Sequence, residues 1–321
     1  MDIYDCKLLF LVGAPRSGTK LLRSMLNGID AIHILENETD LYPFLLKFFA
    51  KDRFNDDWFE RLYSEISETK FFVRRRMAGA PIDKVRWRQC IAEKGAASVF
   101  KALLEASVPQ GVNYIWLGDK SPLHLQCTDR LLQDFPNSRV IHIVRDGRDV
   151  SLSSFEAWGK SPVRSIHKWS RDTLLAHNGG RNWPDRYKLI KYESLLEAPK
   201  EVLKELCFFL GVEYVESALQ FSEAPENLGR AIGRRTVVRS EQRDLTKIPF
   251  KTLKKMESIS LPAARAFGYE RTTDASKSIK LSNVELLWYL LSDLVAMTRF
   301  YVNELGLIAG IRYVMARKNL L

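Results

Sequence analysis

Residues 8–19 read Leu-Leu-Phe-Leu-Val-Gly-Ala-Pro-Arg-Ser-Gly-Thr, and in this segment a short apolar run leads directly into a loop with two glycines. The five apolar residues predict a buried β-strand. After Thr19, apolar side chains recur at helical spacing as far as Leu26. A strand, a loop and a helix in this order place backbone N–H groups at a helix N-terminus, which favours phosphate binding.

Further short apolar runs end, like the first, in polar residues. These runs are Ala31–Leu35, Val112–Leu117, Val140–Val144 and Tyr187–Tyr192. Stretches of helical length separate them, and this alternation predicts an α/β protein with a mostly parallel sheet and helices on both faces. Because ligands of such sheets bind beyond the carboxyl ends of the strands, the polar residues after each run are the candidates for a functional site.

Two segments fall outside this alternation. Residues 41–110 are predicted to form a helical insertion over one end of the sheet, and residues 281–321 a helical tail, within a single domain that spans residues 1–321. The tail is expected to pack within the protein, while dimerisation and contact with a membrane surface are the alternatives. Its helical periodicity is carried by Leu287, Leu290, Leu291, Leu294 and Val295.

The composition narrows the classes of partner. The chain has 321 residues, and its 49 Lys and Arg against 39 Asp and Glu give a net charge of +10, which favours an anionic partner. The basic residues are spread along the chain instead of forming a stripe with interleaved aromatics, so no nucleic acid is expected as a partner. Four cysteines without C-x-x-C spacing and five histidines without ligand spacing predict neither a metal site nor a disulfide framework.

Targeting signals are not expected. Met1–Lys7 contains two acidic residues where a signal peptide has basic ones. Charged residues interrupt the apolar segment 284–316, so no membrane-spanning helix is predicted. With the cysteine usage, these features predict a cytoplasmic protein.

The loop after the first apolar run differs from the Walker A loop of nucleotide-hydrolysing proteins. Gly13 and Gly18 have the spacing of a Walker A motif, but Thr19 stands where that motif has lysine and Lys20 where it has serine or threonine. The cation inside the loop is instead Arg16. The loop therefore predicts phosphate binding without the hydroxyl that holds magnesium.

A second phosphate-binding pair follows the fourth apolar run. Arg145 stands at the predicted strand end, and Ser153 follows about two turns into the next helix. An arginine and a hydroxyl at such a place suit a second, separate phosphate group.

With these two motifs the chain resembles the sulfotransferases that use 3′-phosphoadenosine 5′-phosphosulfate (PAPS), and its motifs are most similar to those of tyrosylprotein and bacterial or carbohydrate sulfotransferases. Their 5′-phosphosulfate loop is similar to Pro15–Thr19, and their 3′-phosphate motif is similar to Arg145 and Ser153. The resemblance extends in order over residues 7–215. It implies a three-layer, P-loop-like α/β fold.

Three further segments resemble this family in the family's own order. Glu36–Thr39 resembles the acidic segment that holds the catalytic base of tyrosylprotein sulfotransferases. Asp119–Pro122 resembles the segment that supplies their catalytic lysine, and Lys191–Leu195 the one that places a tyrosine near the adenosine.

The resemblance implies transfer of a sulfuryl group from PAPS to a hydroxyl or amine, with adenosine 3′,5′-bisphosphate (PAP) as product and without a metal. Lys20 departs from the threonine that is common at its position in the loop. The residues implied to bind PAPS are Arg16, Ser17, Gly18, Thr19, Lys20, Arg145, Ser153 and Tyr192.

The implied catalytic residues are Arg16, Lys120 and Glu38. The two cations would stabilise charge on the leaving group, and Glu38 would be the general base. Glu36 is the alternative base, since the sequence does not fix which carboxylate points inward.

Other residues are weaker candidates. His33 and His124 could also act as the base. A late basic segment resembles one that reaches the 3′-phosphate in cytosolic sulfotransferases, which points to Arg234 or Arg235.

The acceptor stays open among a glycan, a peptide tyrosine and a small metabolite. Residues 41–110 are expected to form its wall, and the basic run Arg74–Arg76 could favour an anionic acceptor. A P-loop small-molecule kinase and a non-catalytic PAPS-binding module are the alternative functions. Thr19 argues against the kinase, and Glu38 with Lys120 argues for an enzyme.

Overall fold

Five parallel strands form the centre of the protein, which a computed structural model describes over residues 7–51, 57–220, 244–307 and 314. The strands are β1 (Lys7–Val12), β2 (Ile32–Ile34), β3 (Trp116–Lys120), β4 (Arg139–Val144) and β5 (Tyr187–Lys191). They pair in the order β2-β3-β1-β4-β5, and each pairing is parallel. The predicted α/β class with a parallel sheet is confirmed.

Helices follow or connect all of these strands. They are α1 (Thr19–Asn27), α2 (Tyr42–Phe49), α3 (Trp58–Ile66), α4 (Lys70–Met77), α5 (Lys84–Cys90), α6 (Ala96–Ser107), α7 (Thr128–Asp134), α8 (Gly147–Trp158), α9 (Pro162–Gly180), α10 (Tyr192–Glu197), α11 (Pro199–Leu210), α12 (Phe250–Phe267) and α13 (Asn283–Leu305). Short 3₁₀ helices lie at Pro122–Gln126, Glu216–Leu219 and Leu245–Lys247.

The central strand β1 is buried on both faces, which makes the fold three-layered. Side chains alternate along a strand, so Leu8, Phe10 and Val12 join one apolar cluster and Leu9 and Leu11 the other. The first cluster contains side chains of α2 to α9 and α12, and the second contains those of α1 and α11. Continuous apolar runs are therefore expected of these strands.

Strand β3 begins four residues later than the apolar run Val112–Leu117 predicts. Val112 and Ile115 are each 38% exposed, whereas Asp119 and Lys120 inside the strand are buried. A prediction from apolar runs ends a strand at the first polar residues. It fails here because Asp119 accepts hydrogen bonds from Thr39 and Ser121, and Lys120 pairs with Glu38.

The segment from 41 to 110 contains α2 to α6. These helices pack through aromatic side chains, with Trp87 against Phe59 and Phe72. Helix α6 contacts both α2 and β3, so the helical segment lies on the β3 side of the sheet.

The tail helix α13 packs against the rest of the protein through Leu286, Tyr289, Asp293 and Met297, while most of the apolar residues that carry its periodicity lie outside this contact. Leu287 is 56% exposed, Leu291 53% and Val295 70%, while Asp293 and Met297 are buried. A polar contact orients the helix. Asp293 Oδ1 accepts a hydrogen bond from the Ser161 backbone N–H at 2.7 Å, on the side of α13 that contacts α8 and α9. Leu287, Leu290, Leu291 and Val295 are therefore exposed within the described part of the chain, whereas Leu294 is half-buried.

None of the helices in the described ranges is both long enough and apolar enough to cross a membrane.

Candidate active site

The loop between β1 and α1, residues 13–18, is folded into a tight concave turn. Arg16 has φ 74° and Gly18 has φ 88°, and the Ser17 N–H donates to the Ala14 carbonyl at 3.1 Å. A left-handed arginine is strained and persists only where its surroundings fix it, which is typical of ligand-binding loops. Ser17 is fully buried, and its hydroxyl has no hydrogen-bond partner among the described residues. An anionic oxygen would satisfy this hydroxyl and the N–H groups at the start of α1.

Arg16 connects this loop to the second predicted phosphate-binding pair. Its Nε donates to the Ser153 hydroxyl at 3.0 Å, and its guanidinium lies 5.7 Å from the ring centroid of Trp158. Arg145 in turn donates from Nη1 to the Arg16 carbonyl at 3.3 Å. The fold therefore brings together the two motifs, which lie more than a hundred residues apart in the sequence.

Tyr192 closes the same cluster at the start of α10. Its ring lies against Gly18, because a Cβ at Gly18 would stand 2.3 Å from Tyr192 Cδ2. The Arg145 guanidinium lies over the same ring, with Cζ 4.6 Å from the ring centroid. Arg145 also donates to Asp149 at 3.1 Å, while its buried Nε has no hydrogen-bond partner within the described residues. An arginine held this way retains capacity for an anion.

Glu38 lies between two lysines. Its Oε1 accepts from Lys120 and its Oε2 from Lys70 at 2.6 Å. Burial opposes the charge on Glu38, but Lys120 and Lys70 override it and hold the pKa of this carboxyl below its usual range. Burial lowers the pKa of Lys120, which is only 2% exposed, and Glu38 counters that effect. Lys70 was not predicted from the sequence, because it comes from α4 and meets Glu38 only in the folded chain.

A hydrogen-bonded frame holds the residues after Glu38 against β3. The Thr39 hydroxyl donates to Asp119 Oδ2 at 2.6 Å, and the Ser121 hydroxyl donates to the same oxygen at 2.8 Å. Ser121 also accepts from the Asp40 backbone N–H at 2.9 Å. This frame fixes the position of Glu38 and of Asp40.

Asp40 is a second carboxylate of the site that sequence reasoning missed. Its Oδ1 accepts from the Leu123 N–H at 3.3 Å, and its backbone is left-handed at φ 52°. Burial, together with the charge of Glu38, raises the pKa of Asp40 to about 6. The sequence feature that could have identified Asp40 is its position, since it is an acidic residue two positions after the predicted base Glu38.

The alternative bases lie elsewhere. Glu36 is exposed, and its carbonyl accepts a hydrogen bond from Arg23. His124 is fully buried, with ring centroids of Phe10 and Phe100 each 5.7 Å away, and burial lowers its pKa. His33 is half-buried, and burial lowers its pKa as well. None of the three lines the cavity beside the β1–α1 loop.

A cavity of about 270 Å³ opens beside the β1–α1 loop. Arg16, Gly18, Thr19 and Lys20 line it together with Glu38 and Asp40. Four of the predicted site residues are not among the residues that line it: Lys120, Arg145, Ser153 and Tyr192. The cationic lining residues are Arg16, Lys20, Lys70, Arg74, Lys160, Arg164 and Lys168.

Both segments outside the sheet alternation contribute to the cavity wall. Helix α4 supplies Lys70 and Arg74, and α13 supplies Asp293, Met297 and Tyr301. Asp293 is anchored there by the Ser161 N–H and by Arg164, which donates to its Oδ2 at 2.8 Å. Sequence reasoning did not place α13 at the site, since the polar residues that do so are interspersed in an apolar run.

Two predicted features remain untested by this geometry. Arg234 and Arg235 lie outside the described residues. Within the described ranges, no group of three or more His, Cys, Asp or Glu side chains has the arrangement of a metal site.

Comparison with known proteins gives consistent matches. The model of the sulfotransferase family matches residues 9–216. The protein-tyrosine sulfotransferase of Drosophila melanogaster is 26% identical over 229 residues, which cover 68% of this chain and 41% of that protein. Protein-tyrosine sulfotransferase 1 of Homo sapiens is 28% identical over 241 residues, which cover 71% of this chain and 57% of that protein. The chain thus matches about half of the length of these relatives.

Solved structures show the same fold. The sulfotransferase domain of the Synechococcus PCC 7002 olefin synthase has a TM-score of 0.51 at 22% identity, covering 84% of this chain and 98% of that one. The sulfotransferase domain from the curacin biosynthetic pathway has a TM-score of 0.50 at 20% identity, covering 83% and 99%. Because the family match spans well over half of the chain, from within β1 through β5, and includes all the strand-end residues of the site, this chain belongs to the sulfotransferase family.

Proposed function

We propose that the protein transfers a sulfuryl group from PAPS to a hydroxyl or amine of an acceptor. One observation carries this proposal: Arg16, Ser153, Arg145, Gly18 and Tyr192 form one contact cluster around the β1–α1 loop. Family membership and relatives named as protein-tyrosine sulfotransferases support it.

The residues of this cluster fit the two phosphate groups of PAPS. The buried Ser17 hydroxyl and the loop N–H groups, with Thr19 and Lys20, would hold the 5′-phosphosulfate. Arg145, whose Nε has no partner among the described atoms, and Ser153 would hold the 3′-phosphate. Tyr192, which contacts both Gly18 and Arg145, would contact the adenosine.

Two cations are placed to act on the leaving group. Arg16 lines the cavity, and Lys120 lies just behind Glu38. Fixed positive charge near the bridging oxygen favours the transition state, where negative charge builds up on the departing phosphate. Such fixed cations can do this without a metal, and we include metal independence in the proposal.

The carboxylates of residues 38–40 are placed to serve the acceptor. Glu38 is the base expected from the sequence, and it lines the cavity next to Asp40. A carboxylate close to the acceptor hydroxyl can take its proton during the attack.

The acceptor would enter through the cavity between α4 and α13. A peptide is one acceptor class that the relatives support, since they are named protein-tyrosine sulfotransferases. A glycan and a small metabolite also fit a site whose wall mixes cationic residues with Trp158 and Tyr301.

The test is calorimetric titration of the protein with PAP in EDTA, with ATP and Mg²⁺ titrated in parallel. Tight binding of PAP with little binding of ATP is the expected result. A preference for ATP with Mg²⁺ would replace this proposal with a kinase, and binding of neither nucleotide would contradict both.

A further inference from the structure

Helix α13 carries an exposed apolar stripe. Val284, Trp288, Leu291 and Val295 recur at the spacing of one helix face, and each of these residues is more than half exposed. We propose that this stripe docks on an anionic lipid bilayer, with α13 lying in the plane of the membrane surface. The inference concerns a binding surface and goes beyond the proposed function.

The stripe is exposed because the other side of α13 is fixed to the protein. Leu286 and Tyr289 pack against the first apolar cluster. Asp293 accepts hydrogen bonds from the Ser161 backbone N–H and from Arg164. These contacts fix the rotation of the helix about its own axis, so the stripe stays on the outside. A contiguous exposed apolar surface of this kind marks a site of interaction with a partner or a membrane.

The acidic side chains of α13 do not oppose binding to an anionic surface. Among the described side chains of the helix, the acids are Glu285 and Asp293. Glu285 pairs with Lys255 at 2.8 Å, and Asp293 pairs with Arg164 at 2.8 Å. Cations of the protein therefore neutralise both carboxylates.

The charges at the two ends of the stripe are positive. Lys277 and Lys280 are exposed just before α13 begins, and Arg299 is exposed one turn after Val295. The net charge of +10 on the whole chain acts in the same direction. Anionic headgroups complement these charges, and each basic residue near such a surface strengthens binding about fivefold.

A second copy of the chain fits the same charges poorly. In a two-fold contact through the stripe, antiparallel helices would bring Lys277 and Lys280 of each copy to Arg299 of the other. Parallel helices would bring the lysines of one copy to those of the other. Like charges meet in both arrangements, which costs free energy, whereas anionic headgroups neutralise both ends of the stripe.

Trp288 also suits a lipid surface. Its indole combines an apolar ring with an N–H donor, and such side chains favour the boundary between headgroups and acyl chains. The same helix lines the cavity beside the β1–α1 loop through Met297 and Tyr301. Docking would therefore hold the cavity wall about 10 Å from the headgroups, which is one helix diameter.

Sedimentation of the protein with lipid vesicles tests the proposal. We expect binding to vesicles that contain phosphatidylglycerol and much weaker binding to vesicles of phosphatidylcholine alone. Leu291→Glu should weaken the binding about tenfold or more, because a charge replaces an inserted apolar side chain. The matched control is Phe208→Glu, which changes an exposed apolar residue of α11 on the other side of the sheet and should leave the binding unchanged.

The basic residues have a test of their own. Lys277→Gln combined with Lys280→Gln should weaken binding to the anionic vesicles about tenfold or more. The control combines Lys200→Gln with Lys204→Gln, which removes the same charge from α11. Equal effects of the two pairs would show that net charge, and not the end of the stripe, attracts the protein.

Lipids with brominated acyl chains report the contact directly. They should quench part of the tryptophan fluorescence, and Trp288→Phe should abolish this quenching in a protein that still binds. The proposal is overturned if the wild-type protein does not bind anionic vesicles, if Leu291→Glu and Phe208→Glu bind equally, or if the quenching persists in Trp288→Phe. A dimer that Leu291→Glu dissociates, without binding to vesicles, would assign the stripe to a second copy instead. None of these measurements involves PAP, so their outcome is independent of the titration that tests the proposed function.

Discussion

Arg145 and Tyr192 are stacked, with the guanidinium carbon 4.6 Å from the centroid of the ring. The ring in turn lies against Gly18, so one aromatic side chain joins the strand end of β4 to the loop after β1. A cation over an aromatic ring is stabilising, most strongly where water is excluded. In the proposed donor site, Tyr192 is therefore in contact with both Arg145 and Gly18.

Gly18→Ala should weaken PAP binding and destabilise the protein. A Cβ at this position would meet the Tyr192 ring at 2.3 Å, and the residue would also keep a φ of 88°. Gly111→Ala is the matched control, because Gly111 has φ 86° and no atoms within 4 Å of the added Cβ. We expect about 1–2 kcal/mol of lost unfolding free energy in the control and a larger loss at Gly18. Equal losses in urea unfolding, with unchanged PAP binding, would contradict the close packing of Tyr192.

Arg145→Ala should weaken PAP binding about tenfold to a hundredfold, since a hydrogen bond to a charged group contributes about 1.5–3 kcal/mol. Calorimetry in EDTA measures this effect. The control is Arg61→Ala, which removes an exposed arginine paired with Glu65 on α3. Similar affinities for the two variants would show that Arg145 does not contact the nucleotide.

The sequence predicted those parts of the fold and site that depend on local pattern. The run Leu8–Val12, the loop after it and helix α1 follow from apolar periodicity and glycine placement. Strand β3 was misplaced because Asp119 and Lys120 owe their burial to partners on other segments. Lys70 and Asp293 were missed for the same reason, as each reaches the cavity through contacts between distant parts of the chain.

Glu38→Gln should destabilise the protein by about 2–4 kcal/mol, because it leaves the ammonium of Lys120 buried without its counter-ion. Adding Lys120→Met should restore most of this loss, as the apolar side chain needs no partner. Glu60→Gln serves as the control, since Glu60 is 65% exposed in its pair with Lys84 and should change stability by less than about 1 kcal/mol. Additive losses for the two changes in urea unfolding would show that Glu38 and Lys120 are not energetically coupled.

Asp40→Asn should stabilise the protein above about pH 6 and not below about pH 4. The pKa of Asp40 rises from 3.8 to about 6, so the folded chain binds this proton more tightly than the unfolded chain does. Stability from Asp40 is therefore present at low pH and is lost as the pH rises through that range. Asparagine does not ionise and tolerates the left-handed backbone, so the gain at high pH should be about 1 kcal/mol for this half-buried group. Urea unfolding at both pH values measures this effect. If the unfolding free energies of Asp40→Asn and the wild-type protein differ by the same amount at each pH, Asp40 does not titrate in this range.

Asp293→Ala should loosen α13 without affecting PAP binding. The substitution removes the acceptor for the Ser161 N–H and for Arg164, a loss of about 2 kcal/mol for contacts that include a charged group. These bonds orient the helix with Met297 and Tyr301 on the cavity and its apolar face outward, so their loss should increase hydrogen exchange across Asn283–Leu305. Val295→Ser changes an exposed position on the same helix and is the control. Equal exchange in the two variants would show that α13 is held by its other contacts, whereas faster exchange in Asp293→Ala alone would identify one buried carboxylate as the anchor of the cavity wall.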